Sequence, residues 1–218
     1  VDTRSLPKLF PLFLKLEDRP ALVVGAGKVA TEKAEGLKAA GARVTVVAPE
    51  ASTRVRELAE QGEIAWKARR FRAVDVEGFR VVIASTGNAF VNRAVWRAAS
   101  RRCIPVNVVD VPDLCDFYYG SIVRREPVMI AISTSGASPA LARRLRERLD
   151  EVLPERLGEL ALALARSRAR LLASVPGFGA RVEAVNRLLD DLELEALDGR
   201  TDDEIRKQVD RWIQEVGS

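Results

Sequence analysis

Three clusters in this 218-residue chain have residue types and spacings that suit chemistry. The first is Gly25, Gly27 and Ala30, a G-x-G-x-x-A spacing between the apolar run Ala21 to Val24 and a helical pattern starting near Lys28. Gly25 permits a tight strand-to-helix turn. Gly27, without a side chain, lets a pyrophosphate reach the backbone, and Ala30 lets the helix pack closely on the strand. The free N–H groups and positive dipole end of that helix then face phosphates. A second strand, Arg43 to Val47, follows, which is the context the motif needs to mean dinucleotide binding rather than an ordinary turn. The second cluster is Asp110, closing the apolar stretch Ile104 to Val109. A carboxylate in a partly dry crevice can take a proton while a hydride leaves a substrate; its alternative role is to bond backbone in the turn before Pro112. The third is Ser133, Thr134, Ser135, Gly136 and Ser138, followed by Pro139. Small hydroxyl residues before a helix start bind anions, carboxylates included, and Ser138 is also the natural N-cap.

The rest of the chain supplies the elements that position these residues. The expected helix Lys28 to Ala40, with Val29, Lys33 and Leu37 on related faces, ends at Gly41. The strand Arg43 to Val47 leads into Ala48, Pro49 and Glu50. Many nucleotide-binding units carry an acid at this strand end for the ribose hydroxyls. Ala48 occupies it here, so Glu50 two residues on is the substitute, with Pro49 walling the adenine side. No arginine stands at Ala48, which leans the cofactor toward NAD over NADP, although Arg54 is close. A helix over Ala51 to Gly62, capped by Ser52 or Thr53, precedes a strand over Glu63 to Ala68. Phe79 to Ala84 is a buried strand running into Ser85, Thr86 and Asn88, with Asn88 capping a helix to about Arg102. Strands alternating with helices predict a parallel, doubly wound sheet of about five strands. Gly25 to Lys28, Ser85 to Asn88 and Asn107 to Val111 then meet beyond its carboxyl ends. Asn107 faces that crevice or the sheet interior.

After Pro112 the alternation stops. Asp116 to Arg124 and Pro127 to Ser133 read as two strands joined at Arg125-Glu126, and helices fill the remainder. Thr201 to Glu204 is a capping box opening the last one. The expected organisation is a Rossmann domain over 1–112, an α+β region over 113–150 and a helical domain over 151–218. The apolar segment Leu9 to Leu14 calls for cover, as an extra strand or arm on the sheet.

Composition narrows the classes. The chain has no histidine, which removes His-based triads, His zinc sites and a His general base. A net charge of +4 suits an anionic ligand. No dense basic stripe with interleaved aromatics marks nucleic-acid binding. No apolar run reaches membrane-span length, and Val1 to Pro7 lacks the layout of a secretory signal. Two cysteines, Cys103 and Cys115, fit reduced thiols in the cytoplasm.

These segments taken together resemble a known family. Leu9 to Leu14, Val23 to Ala30, Gly41 to Glu50, the Asn107-Val108-Val109-Asp110 run and Ser133 to Ala142 stand in the order seen in the precorrin-2 dehydrogenase family, the dehydrogenase and chelatase module of siroheme synthase. The resemblance spans about residues 6 to 150 and matches the helical tail only in kind. It implies NAD-dependent oxidation of precorrin-2 to sirohydrochlorin by a cytoplasmic homodimer whose region after Pro112 interleaves with its partner's. It makes Asp110 the catalytic residue. Cofactor contacts fall on Gly25, Gly27, Lys28, Val29, Pro49 and Glu50, and the strand-end position adds Ser85 and Thr86. The tetrapyrrole is assigned to Asn107, Ser133, Thr134, Ser135 and Ser138. Some members also insert iron or cobalt, and the methyltransferase module is missing. The hydroxyl loop departs from the family's frequent Ser-Ser-Gly-Gly. A rival reading is a non-catalytic NAD-sensing Rossmann protein that regulates a partner.

Overall fold

A computed structural model of the chain describes residues 6–216. It divides into two compact units, the first ending at Tyr119 and the second beginning at Gly120.

The first unit is built on five parallel strands: β1 (Pro20–Val24), β2 (Arg43–Val47), β3 (Ala65–Lys67), β4 (Val81–Ala84) and β5 (Val106–Val108). Their spatial order is β3-β2-β1-β4-β5, so the sheet reverses direction of growth between β1 and β4. Helices α1 (Lys28–Ala39), α2 (Thr53–Glu60) and α3 (Ala89–Ser100) connect them. Both sheet faces are covered, which is why the strands read as unbroken apolar runs. Ala21 and Val23 pack with Ala30, Ala34 and Leu37 of α1 and with Val55 and Leu58 of α2. Leu22 and Val24, on the opposite face, pack with Val95, Ala98 and Ala99 of α3. Register is fixed by this alternation, because a one-residue slip would swap the two cores.

The predicted caps form. The Ser52 hydroxyl accepts the N–H of Val55 at the start of α2, and the Asn88 side-chain oxygen Oδ1 accepts those of Phe90 and Val91 at the start of α3. Two expectations fail. Leu9 to Leu14 forms no strand and is not covered: Phe10 is 84% exposed and Phe13 70%. A single chain offers it no free sheet edge on the β1 side, since β2 and β4 already flank β1. The strand expected from Asp116 begins only at Ser121. Residues before it are tied to β5 instead: Asp116 donates its N–H to the Val106 carbonyl at 2.8 Å and accepts the Val106 N–H on its carboxylate at 3.0 Å.

The second unit opens with an antiparallel hairpin, β6 (Ser121–Arg125) and β7 (Val128–Ile132), turned at Glu126-Pro127. Helices α4 (Pro139–Val152), α5 (Leu157–Ser174), α6 (Phe178–Leu192) and α7 (Asp202–Val216) follow. The last three enclose a core of Leu160, Ala163, Leu188, Leu192, Ile205, Val209 and Trp212. The expected box opens α7: Thr201 donates its N–H to Glu204 and accepts Glu204's N–H on its hydroxyl. Arg125, its side chain 9% exposed, ion-pairs with Asp150 and donates to the carbonyls of Asp150, Leu153 and Pro154, joining the hairpin to the α4–α5 corner. No helix among the described residues is long and apolar enough to cross a membrane.

Candidate functional site

The sheet's reversal point opens a crevice of about 270 Å³ between the ends of β1, β4 and β5. Ligands of doubly wound sheets bind at this carboxyl edge. Gly27, Lys28 and Val29 line one wall, Ser85 and Thr86 the second, and Asp110 the third. A larger open cleft of about 520 Å³ lies at the amino edge, around Arg19, Arg80 and Arg102. Arg102 is already paired with Glu77 there, and the topology places ligands at the other end.

The two glycines do different work. Gly25 has φ +110°, and a Cβ on it would stand 2.1 Å from the Ser85 carbonyl oxygen. The turn therefore requires glycine for the fold itself. Gly27 has an extended backbone, φ −76°, and a Cβ on it would meet nothing within 4 Å. The protein does not need glycine there; the open space in front of it does. The start of α1 carries no side-chain cap. Its first-turn N–H groups lack intrahelical acceptors, so they present a ready anion site to the crevice. This cradle fits the pyrophosphate of a dinucleotide.

Side chains outside the glycine motif hold the cradle. Thr31 donates its hydroxyl to the Gly27 carbonyl at 2.9 Å and lies 3.0 Å from the Ser52 hydroxyl, while the Ser52 N–H donates to the Ala26 carbonyl. On the second wall, buried Asn92 clamps Thr86. Its carbonyl oxygen accepts the Thr86 N–H and hydroxyl, and its amide donates to the Thr86 carbonyl at 3.1 Å. Only the strand-end position of Thr86 was legible; Asn92 reads as one polar residue on a helix.

Asp110 stands in the left-handed region at φ 61°. Asp tolerates this conformation better than most residues. The turn is closed by the Val111 N–H donating to the Val108 carbonyl. The Asp110 carboxylate is exposed to the crevice and makes no hydrogen bond or ion pair among the described residues. The alternative of bonding turn backbone is thus not adopted. Lys33, on α1, sits with its ammonium 3.7 Å from the centroid of the Tyr119 ring. Burial lowers its pKa, while the charges of Glu32 and Asp110 oppose that fall. Loss of water pushes the Tyr119 hydroxyl up to about 12.

Other sequence-picked residues lie apart. Pro49 and Glu50 are exposed at the end of β2, outside the crevice lining. The Trp66 indole holds this end by donating to the Ala48 carbonyl at 3.0 Å. Asn107 is 7% exposed and turned inward: its amide donates to the Phe117 carbonyl at 2.8 Å. Ser133, Thr134, Ser135 and Ser138 belong to the second unit. Their loop is closed on itself. Ser133 accepts the Ser135 N–H, Thr134 accepts the Ser138 N–H and donates to the Ser138 carbonyl, and Ser138 caps Leu141. No group of metal-ligating side chains is gathered among the described residues.

Comparison with known proteins agrees with this geometry. A family model described as "Putative NAD(P)-binding" matches residues 12–121, just over half the chain, and one described as "Sirohaem biosynthesis protein central" matches residues 123–151. The siroheme synthase of Methylococcus capsulatus is 48% identical over 194 residues, covering 88% of this chain and 41% of that protein. That of Methylobacillus flagellatus is 47% identical, covering 72% and 34%, and that of Thioalkalivibrio sulfidiphilus 38% identical, covering 94% and 42%. The chain thus spans about two fifths of the length of these relatives. A solved structure titled "SirC, precorrin-2 dehydrogenase" superposes with a TM-score of 0.75 over 93% of this chain and all of that one, at 24% identity, and shares its fold. The chain belongs to the family described as putative NAD(P)-binding, here continued by the sirohaem-biosynthesis central segment and similar to the matching two fifths of siroheme synthases.

Proposed function

We propose that the chain catalyses the NAD-dependent dehydrogenation of precorrin-2 to sirohydrochlorin, a step of siroheme biosynthesis. The observation that carries this reading is the juxtaposition of an uncapped helix start, bare Gly27 and an unpartnered carboxylate, Asp110, in one crevice. When bound, NAD supplies the hydride acceptor. The chain supplies the rest. The N–H groups at the start of α1 hold the pyrophosphate, with Thr31 and Ser52 fixing the loop beneath it. Glu50, exposed at the β2 end, is the group for the ribose hydroxyls, and Pro49 borders the adenine. Ser85 and Thr86, held by Asn92, border the reacting end.

Dehydrogenation removes a hydride and a proton from the substrate. Asp110 takes the proton: it is ionisable, exposed to the crevice and free of competing partners. Asn107 supports it from behind by holding Phe117 against the β5 edge. The protein works as a homodimer in the cytoplasm. Exposed Leu141 and Leu145 on α4 support association, and two free cysteines, Cys103 and Cys115, suit that compartment.

Purified chain mixed with precorrin-2 and NAD should raise absorbance at the NADH band as sirohydrochlorin forms, in equal amounts. Nucleotide binding with no NADH and no tetrapyrrole binding would instead favour a regulatory NAD sensor.

A further inference from the structure

The crevice explains the cofactor and the proton acceptor but not how a large anionic ring is held beside them. At about 270 Å³ it lies below the roughly 300–1,000 Å³ of pockets that enclose a drug-sized ligand. A macrocycle entering beside a nicotinamide extends beyond the crevice, and the exposed surface of α1 borders it. Lys33 stands on that surface, one helical turn beyond crevice-lining Val29 and on the same face.

Its setting differs from that of the ion-paired basic residues of the first unit. Lys38 is paired with Glu63, Arg54 with Glu35, Arg69 with Asp75 and Arg102 with Glu77. Lys33 is half-buried, rests on the Tyr119 ring and has no carboxylate in ion-pair range among the described residues. The charged groups near it are Glu32 on its own helix and Asp110 from the β5 end, both acting without contact. A partly dried ammonium lacking a counter-charge gains most from an incoming anion. The aromatic support pins its position.

We propose that Lys33 is a substrate-binding residue whose ammonium anchors a peripheral carboxylate of the macrocycle, setting the ring's edge relative to Asp110. The assignment rests on the tetrapyrrole reading above. Arg at this position would keep the charge at all accessible pH values, whereas burial makes Lys33 release its proton earlier than an ordinary lysine.

The test is an absorbance titration of the full chain with uroporphyrin, a polycarboxylated ring, in the presence of NAD. Lys33→Met and Lys33→Gln should weaken binding about tenfold or more, with NAD affinity unchanged and Lys33→Arg close to the parent. Binding to the parent should also fade as pH rises into the alkaline range, and the Lys33→Arg protein should resist that loss. In turnover with precorrin-2 the defect should fall on KM rather than kcat. Parent-like ring affinity in both neutral variants, or identical alkaline behaviour of parent and Lys33→Arg, would overturn the proposal and leave Lys33 as a support for Tyr119. A parent chain that binds NAD but no uroporphyrin and no precorrin-2 would overturn the tetrapyrrole reading itself.

Discussion

Two helices in this chain start from loops that look alike as anion sites, yet only one is open. At α1, Gly27 offers no cap and the first-turn N–H groups face empty crevice. At α4, Ser138 caps Leu141 while Thr134 and Ser133 close the loop with three further bonds. A hydroxyl-rich loop satisfies its own helix, and a glycine loop leaves that work to a ligand. The contrast separates a residue that the fold needs from a residue that a ligand needs, and it does so even within one turn, at Gly25 and Gly27.

The largest expected effect tests that separation from the side of the fold. Gly25→Ala should fail to give stable protein, because the new Cβ collides with the Ser85 carbonyl and φ +110° is strained for any other residue. A parent-like thermal melt would show that the turn relaxes easily. Asp110→Asn keeps shape and removes the proton acceptor, so turnover should fall ~100-fold or more with NAD affinity and melting intact. Undiminished turnover would remove Asp110 from the chemistry.

Gly27→Ala is the counterpart of Gly25→Ala. It should fold like the parent and lose about tenfold in NAD affinity by calorimetry, because the methyl enters only the ligand's space. Unchanged affinity would place the pyrophosphate elsewhere. The smallest effect belongs to α4: Ser138→Ala should cost about 1 kcal/mol in chemical denaturation by removing a cap, and leave NAD affinity alone. A drop in NAD affinity there would erase the contrast between the two loops.

Much of this was legible from residue types. The glycine turn, the β2 strand at Arg43–Val47, the caps Ser52, Asn88 and Ser138 and the Thr201 to Glu204 box are local devices, decided within a few residues. What escaped depends on distant partners. Asp116 reads as the start of a strand until its bonds to Val106 are seen. The exposed Phe10 and Phe13 read as core-seeking, because hydrophobicity says that cover is favourable but not where it comes from. Lys33 reads as an ordinary helical charge, and only Tyr119, far along the chain, shows that it is half-dried and unpaired. Asn107 was ambiguous because a strand residue faces one side or the other by register alone, and its bond to Phe117 decides.

The most direct test of the account is a crystal structure with NAD bound. Pyrophosphate density should lie against the N–H groups of Lys28 and Val29, in front of Gly27, with the nicotinamide beside Asp110. Nucleotide bound away from the Gly27 cradle, or a nicotinamide with Asp110 out of reach of any substrate it could oxidise, would contradict it.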